Sequence, residues 1–290
     1  MKRTLRAVLQ LIRLPNLFTA MADSLAGYLL AGEAVSYSVA AKLMLCSYCL
    51  YAAGIALNDL CDLKQDRTER PDRPLPSGDI SVQSAVVLIL LLFAAGLTLA
   101  NSIGRNVFLT AAILTVAIIA YDALLKSTWI GPLGMGSCRA LNLLLGAVAV
   151  GAMWSIAVLP AGLMLLYVAS LTLFARSETS LSRRSILLAA TSGMIVALSG
   201  LALLPLLLPT LHYVYLVFVA FMIALVARCG LRAAQSTLPA HVQQAVTVFV
   251  LGIVGFDACL VTAARGPVAG ATVALLLIPA VWARSLARVT

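Results

Sequence analysis

The chain has 290 residues, of which 62% are hydrophobic and only 11% are charged, and its mean hydropathy is +1.03. A soluble core does not need so large an apolar fraction, so the composition predicts a polytopic membrane protein rather than a soluble enzyme. The net charge of +9 is explained by basic residues beside anionic lipid headgroups, and no basic and aromatic pattern indicates a nucleic-acid partner.

Apolar runs of about 20 residues, the length that crosses the hydrocarbon core of a bilayer, repeat from near Leu14 to near Ala283. They predict an all-α polytopic bundle of about nine to ten transmembrane helices, in a single domain over residues 1–290. The ten predicted spans are 14–32, 38–57, 82–100, 106–121, 133–153, 158–175, 186–207, 211–228, 242–263 and 268–284.

The basic residues predict the orientation of these spans. Seventeen of the twenty Lys and Arg residues fall on one side, and only Lys42, Arg105 and Arg265 fall on the other. Because cytoplasmic loops carry the excess of Lys and Arg, both termini are predicted to be cytoplasmic. The basic N-terminus superficially resembles a signal peptide, but its apolar run reaches full span length, which favours an amphipathic lead-in to the first span.

The first predicted span carries polar residues at two depths. Asn16 lies near its start, and Asp23 lies about 10 Å deeper at 1.5 Å per helical residue. An ionisable group at that depth is expected to face the bundle interior or a wet cavity, as a structural hydrogen-bond partner or as cavity lining. Arg13, at the cytoplasmic mouth, either reaches a phosphate or anchors the helix at the membrane surface.

The segment 58–78, NDLCDLKQDRTERPDRPLPSG, is a charged island in this apolar sequence. Six of the eleven acidic residues of the chain fall between Asp59 and Asp79. On one helix, five side chains of the island would project within a single arc, and like charges spaced in this way repel one another unless a cation lies between them. The spacing is compatible with a Mg²⁺-diphosphate platform or with a solvated cytoplasmic loop. These five residues are Asn58, Asp59, Asp62, Asp66 and Glu69.

Two further cytoplasmic segments add basic groups to this face. The island ends in RPDRPLPSG, where three prolines and a glycine predict a loop that brings Arg70 and Arg73 within reach of anything bound to the carboxylates. The fourth span ends with Tyr121, Asp122 and Lys126 on the same side. Lysine is a natural partner of phosphate.

The remaining polar residues of interest lie further along the chain. Arg139, on the fifth span, is expected to face a polar cavity, or to pair with Asp122 or a carbonyl group, because a buried arginine is costly. Glu178, after the sixth span, is the only acidic residue between Asp122 and Asp257. Asp257 lies near the predicted outer face, where it is expected to satisfy a neighbouring helix.

Four stretches together resemble the UbiA superfamily of intramembrane prenyltransferases. They are the opening LIRLPNLFTAMADSLAGYLL, NDLCDLKQDR as the NDxxDxxxD motif, the RPDRPLPSG that follows it, and YDALLK in the next cytoplasmic loop. The resemblance covers most of the chain. GSCRALNLLLGA and FARSET are similar to the UbiA-like branch of bacterial Ebo gene clusters.

The resemblance implies a helix bundle around a central cavity with a cytoplasmic polar cap, in a bacterial inner membrane. It implies Mg²⁺ as the cofactor, and a prenyl diphosphate, a lipophilic acceptor and membrane lipids as partners. The implied residues are the metal ligands Asn58, Asp59, Asp62 and Asp66, the diphosphate-binding residues Arg13, Arg67, Tyr121, Lys126 and Arg139, and the catalytic residues Asp62, Asp66 and Glu178.

One departure from the family pattern affects the expected chemistry. The superfamily normally has a second acidic motif after the sixth span, where this chain reads SETSLSRRS with Glu178 alone. A single carboxylate can ligate one ion weakly or act as a base, but it cannot reproduce a paired site. The number of metal ions and the reaction with an acceptor therefore stay open.

The leading hypothesis is Mg²⁺-dependent transfer of a prenyl group from a prenyl diphosphate to a lipophilic acceptor. Two alternatives are a UbiA-type terpene cyclase and a non-catalytic isoprenoid-binding protein of a biosynthetic or transport assembly. A secondary transporter is less favoured, because the sequence has no inverted repeat or paired broken helices.

Overall fold

The computed structural model describes residues 2–32, 35–150, 154–176, 183–206 and 212–288. Within these ranges the chain is helical and contains no strand, as the composition predicts. A π-helical turn, Tyr121–Leu125, follows α6, and a 3-10 turn, Leu201–Leu206, follows α9. The α-helices are α1 (Lys2–Leu11), α2 (Leu14–Ala31), α3 (Tyr37–Cys61), α4 (Leu63–Glu69), α5 (Val82–Asn101), α6 (Arg105–Ala120), α7 (Gly131–Val148), α8 (Trp154–Ala175), α9 (Arg184–Gly200), α10 (Tyr215–Ser236), α11 (Pro239–Arg265), α12 (Pro267–Ala274) and α13 (Leu277–Arg288).

Seven segments of the described chain are long and apolar enough to cross a membrane, so the protein is a multi-pass membrane protein, although the predicted count of ten spans is not confirmed. The other three predicted spans fall on α2, on α7 and on α12 with α13. Helices α2 and α7 contain polar side chains, and the last pair is interrupted between Ala274 and Leu277. The seven segments are Tyr37–Cys61, Val82–Asn101, Arg105–Leu125, Ile156–Ala175, Arg184–Leu206, Tyr215–Ser236 and Pro239–Arg265.

The buried apolar side chains form two clusters. Helices α2, α3, α5 and α6 contribute to the first cluster, and helices α8 to α11 build most of the second. Helix α7 packs against both α2 and α8 and so connects the two halves. Large apolar side chains also face outward on α5, α6 and α10, including Leu90, Val116 and Phe221. Outward apolar faces of this kind suit contact with lipid.

Helices α2 and α7 cross closely because each has a glycine at the contact. A Cβ atom on Gly27 would collide with the carbonyl oxygen of Leu143, and one on Gly146 would collide with the carbonyl oxygen of Ser24. Small residues permit such backbone approach between membrane helices. This crossing fixes the position of the polar side chains that α2 and α7 direct towards each other.

We expect Gly27→Leu to destabilise the protein strongly, by about 3 kcal/mol or more, because overpacking against backbone cannot be relieved by a rotamer change. The unfolding temperature of the detergent-purified protein measures this effect. Gly162→Leu is the matched control, since a Cβ atom at Gly162 has no neighbour within 4 Å. Equal losses in the two variants would contradict the close crossing.

The helix that carries the acidic residues is interrupted at a single residue, Asp62, while backbone hydrogen bonds from Asp62 N to Asn58 O and from Asp66 N to Asp62 O continue across it. Helix α3 ends at Cys61, Asp62 has φ −87° and ψ 1°, and α4 begins at Leu63. Asp59 belongs to α3, whereas Asp66 belongs to α4. Basic side chains offset the mutual repulsion of these carboxylates, and Asp59 and Asp66 share one of them, Arg73.

Candidate functional site

A cavity of about 400 Å³ lies between the two apolar clusters. Its polar end is formed by the start of α2, the end of α3 and the π-helical turn after α6, and its remaining wall is mostly apolar. The polar lining residues are Arg13, Asn16, Tyr51, Asn58, Tyr121, Asp122, Cys138, Arg139 and Thr172. The apolar lining residues include Ile55, Ile118, Met135, Val168, Leu171, Val246, Val250 and Ile253.

We call Asp59, Asp62, Asp66 and Asp122 the acidic cap. Two arginines bind its first part, Asp59 and Asp66. Asp59 is buried and forms an ion pair with Arg13. The Arg73 guanidinium donates to Asp66 Oδ2 at 2.6 Å and lies 3.4 Å from Asp59 Oδ1. Arg73 thereby ties the proline-rich loop to both α3 and α4.

Lys126 and Asn58 organise the second part of the acidic cap. Lys126 Nζ lies 2.6 Å from Asp62 Oδ1, so the prediction that Lys126 faces the carboxylate island is confirmed. The same ammonium group lies 3.4 Å from the carbonyl oxygen of Asn58. The side-chain amide of Asn58 donates to Asp122 Oδ1 at 3.0 Å. Because this bond uses the nitrogen of the amide, the side-chain oxygen of Asn58 is directed elsewhere and can accept a cation.

A second polar group lies deeper, where α2, α3, α7 and α11 meet. Arg139 donates to Asp23 Oδ2 at 2.9 Å and to the hydroxyl of Thr19 at 2.7 Å. Its guanidinium carbon lies 4.7 Å from the ring centroid of Tyr51, a cation–π contact. Asn142 donates to the same Asp23 oxygen at 3.1 Å. We call these five residues, together with Asp257, the deep polar cluster.

The structure shows which of the roles predicted for Asp23, Arg139 and Asp257 are correct. Asp23 is both a structural partner and completely buried, and it does not line the cavity. Arg139 lines the cavity, but it pairs with Asp23, so the alternative of a pair with Asp122 is wrong. Asp257 does face a neighbouring helix, because its carboxyl group lies against that of Asp23.

The structure brings most of the predicted site residues together. Arg13, Asn58, Tyr121 and Arg139 line one cavity, and Asp59, Asp62, Asp66 and Lys126 adjoin its polar end through the contacts above. Arg67 is exposed on α4 and does not line the cavity. Glu178 and the rest of the second acidic segment lie outside the described residues.

Three residues of the site were not assigned a role from the sequence. Asp122 was considered as a neighbour of Tyr121 and as a possible partner of Arg139, but it was not assigned to the site, although its adjacency to Tyr121 was a usable signal. Arg73 was placed near the carboxylates without a partner. Tyr51 was missed, yet it lies seven residues before Asn58, which places both side chains on one face of α3.

A profile of the UbiA prenyltransferase family matches residues 20–250, which is most of the chain. This chain belongs to the UbiA prenyltransferase family. The matched region contains the whole acidic cap and all of the deep polar cluster except Thr19 and Asp257, and Arg13 also lies outside it.

Curated relatives in the UbiA family match about half of this chain. The digeranylgeranylglyceryl phosphate synthase of Ignicoccus hospitalis is 36% identical over 147 residues, which are 50% of this chain and 48% of the relative. The synthase of the same name from Methanopyrus kandleri is 37% identical over 125 residues, 43% of this chain and 45% of the relative. The chain thus spans about half the length of the curated relatives it matches.

Solved structures of UbiA homologues share this fold. A homologue from Aeropyrum pernix superposes with a TM-score of 0.72 at 16% identity, over 86% of this chain and 98% of the homologue. A homologue from Archaeoglobus fulgidus, bound to GPP and Mg²⁺, gives a TM-score of 0.61 at 16% identity, over 88% of this chain and 99% of the homologue. These likenesses establish the UbiA fold for this chain.

The oxygen donors of the acidic cap fit Mg²⁺. Within the described ranges no group of three or more His, Cys, Asp or Glu side chains is close enough to hold a metal. Mg²⁺ does not require such a group, because it is usually held by one or two carboxylates together with substrate phosphates. Asp62, whose side chain is 30% exposed, and the free amide oxygen of Asn58 supply a donor set of this kind.

Proposed function

We propose that this protein is a Mg²⁺-dependent intramembrane prenyltransferase, which moves a prenyl group from a prenyl diphosphate to a lipophilic acceptor. The observation that carries the proposal is an acidic cap, paired with Lys126 and Arg13, at the polar end of a cavity whose remaining wall is mostly apolar, inside a membrane bundle. Polar groups for a diphosphate and apolar walls for an isoprenoid chain meet in one site.

The proposed donor site uses the charges of the acidic cap. Three of its four carboxylates, Asp59, Asp62 and Asp66, form ion pairs with Arg13, Arg73 and Lys126, and a metal–diphosphate complex can rearrange these contacts. Asn58, Asp62 and Asp66 would hold Mg²⁺, assisted by Asp59, and the ion would neutralise charge on the leaving diphosphate. Arg13 and Lys126 would then donate to phosphate oxygens, a task that suits both side chains.

The proposed reaction is an ionisation followed by capture. The bond between the allylic carbon and the diphosphate oxygen breaks, and its electron pair leaves with the diphosphate that Arg13 and Lys126 hold. Side chains such as Val168, Leu171 and Val250 exclude water from the allylic cation. The acceptor supplies the electron pair of the new bond, and the proton that it loses passes to the released diphosphate.

Several predictions remain part of this proposal. The names of the curated relatives support a lipid as the acceptor, and the ligands of the A. fulgidus homologue support a short prenyl diphosphate with Mg²⁺. Glu178, the remnant of the second acidic motif, is proposed to assist as a base or weak metal ligand. On the sequence features given above, we also propose that the protein lies in a bacterial inner membrane with both termini in the cytoplasm. We further propose that it forms a single domain and belongs to the Ebo-type branch of the family.

Release of inorganic diphosphate tests the proposed function. We expect the purified protein to release diphosphate from geranyl, farnesyl or geranylgeranyl diphosphate when Mg²⁺ is present and not when EDTA replaces it. The double variant Asp62→Asn with Asp66→Asn is expected to lose about 100-fold or more in rate, because it removes the carboxylates proposed to hold the Mg²⁺ that would neutralise the departing diphosphate.

Asp72→Asn is the matched control, since Asp72 is an exposed carboxylate of the same segment and does not line the cavity. It is expected to keep the wild-type rate. Absence of diphosphate release from all three donors, with a folded protein and Mg²⁺ present, would refute the proposal.

A further inference from the structure

The cavity has a second polar position that the acidic cap does not explain. Tyr51 and Arg139 line its wall together, and Tyr51 lies seven residues before Asn58 on α3. At 1.5 Å per residue this is about 10 Å deeper along the helix, on the same face. A diphosphate held by Asn58 and Lys126 therefore lies above Arg139 instead of against it.

Polar atoms without hydrogen-bond partners are concentrated at this depth. Within the described ranges, the buried side-chain atoms that lack a partner are Asp23 Oδ1, the Tyr51 hydroxyl and both carboxylate oxygens of Asp257, and all belong to the deep polar cluster. Tyr51 is only 8% exposed and is the one member of this set that lines the cavity. Buried polar atoms normally have partners, so the unpartnered hydroxyl of this lining residue leaves a hydrogen bond available to a group that binds in the cavity.

The charge of the deep polar cluster limits what can bind. The positive charge of Arg139 is already matched by Asp23, and Asp257 adds a second carboxyl group beside it. The position therefore has no spare positive charge for a phosphate. Hydrogen-bond donors do remain, because a guanidinium group has five N–H bonds and those to Asp23 and Thr19 use only some of them.

The surrounding wall is apolar. Val250 and Ile253 of α11 and Leu171 of α8 line the same cavity. A ligand that fits both features is an uncharged, largely apolar molecule with one hydroxyl or carbonyl oxygen. Its oxygen would accept from Arg139 and exchange a hydrogen bond with the Tyr51 hydroxyl, close to where the allylic carbon leaves the diphosphate end.

We infer that Arg139 and Tyr51 form a subsite for the oxygen of an uncharged lipophilic acceptor, about two helical turns below the diphosphate site. The inference rests on the proposed function and specifies the acceptor end of that site. It assigns Arg139 to the acceptor and not to the diphosphate. Thr19, Asp23 and Asn142 act as positioning residues that hold the guanidinium over the Tyr51 ring.

A matched pair of probes tests this subsite without catalysis. 4-Butylphenol and butylbenzene differ by one hydroxyl group, and binding of either raises the unfolding temperature by mass action. We expect the wild-type protein to bind 4-butylphenol about tenfold more tightly, the value of roughly one net hydrogen bond. Equal binding of the two probes by the wild-type protein would overturn the inference.

Two variants test whether Tyr51 and Arg139 cause the preference for 4-butylphenol over butylbenzene. Tyr51→Phe keeps the ring under Arg139 and removes the unpartnered hydroxyl, and the double variant Asp23→Asn with Arg139→Gln removes two opposite charges together. Both are expected to lose most of the tenfold preference for the phenol. A folded variant of either kind that kept the full preference would overturn the inference.

Binding of geranylgeranyl thiodiphosphate with Mg²⁺, measured by calorimetry, separates this inference from the proposed function. The Kd of the wild-type protein and of both variants is expected to agree within about twofold, since tenfold corresponds to 1.4 kcal/mol. A Kd that rose tenfold or more in the double variant would indicate that Arg139 binds the diphosphate, and it would overturn the inference. Absence of thiodiphosphate binding by the wild-type protein would instead refute the proposed donor site, and with it the assignment of this oxygen site to an acceptor.

Discussion

Arg139→Gln on its own is expected to cost about 3–5 kcal/mol of folding stability, the usual result of removing one partner of a buried ion pair. Asp23 is completely buried and its Oδ2 atom accepts from Arg139 and Asn142. The shorter glutamine cannot reproduce the bonds to both Asp23 and Thr19, so an uncompensated carboxylate would remain inside the membrane bundle. Chemical unfolding in mixed micelles, followed by circular dichroism, measures the change.

Two companion variants show whether charge is the cause. Asp23→Asn combined with Arg139→Gln removes both charges and is expected to recover most of the lost stability, since a neutral amide pair leaves no buried charge. Asp257→Asn keeps the side-chain shape and gives Asp23 Oδ1, which has no partner, an N–H donor. It is therefore expected to leave stability unchanged or to raise it by about 1 kcal/mol. A double variant that was less stable than the single variant would contradict this account.

The sequence predicted the class of fold because apolar length is a direct physical requirement of the bilayer. The number of spans was less predictable. Helices α2 and α7 cross the bundle interior against each other, so Asp23 and Arg139 pair within the protein while they lower the hydropathy of their own helices. A hydropathy pattern cannot distinguish a polar residue that pairs inside the bundle from one that ends a span.

The acidic cap was predicted in composition but not in shape. The spacing of Asp59, Asp62 and Asp66 correctly placed three carboxylates at one end of the bundle, because one or two helical turns separate them. The interruption at Asp62 was not predicted, and the cations that pair with these carboxylates come from elsewhere in the chain, Arg13 just before α2 and Lys126 after α6. Local spacing describes a helix face only while the helix stays straight.

The deep polar cluster was the least predictable part of the site. Arg139 and its partner Asp23 are 116 residues apart, and no local pattern connects them. The pairing is set by the crossing of α2 and α7, which in turn depends on Gly27 and Gly146. The sequence showed only that burying Arg139 is costly. This cost predicted that Arg139 has a partner, but not that the partner is Asp23.

Lys126→Met is expected to lower kcat/KM for prenyl transfer by about 10²–10³, the usual loss when a group that stabilises a leaving anion is removed. The variant should fold normally, because the ion pair with Asp62 is partly exposed, with side chains 20% and 30% accessible, and such pairs contribute little stability. Lys64→Met is the control, since Lys64 is exposed on α4 and does not line the cavity. It is expected to keep the wild-type rate.

Lys126→Met is also expected to change the affinities for a divalent cation and for a prenyl thiodiphosphate in opposite directions. The Lys126 ammonium group lies 2.6 Å from Asp62 Oδ1 and so competes with any cation for that carboxylate. Removing it should strengthen the binding of Mg²⁺ or Mn²⁺ alone and weaken the binding of geranylgeranyl thiodiphosphate. Calorimetry with each ligand measures both changes. If Lys126 served only to balance the charge of Asp62, the thiodiphosphate would bind as well as before, and opposite shifts therefore distinguish a phosphate-binding lysine from a structural one.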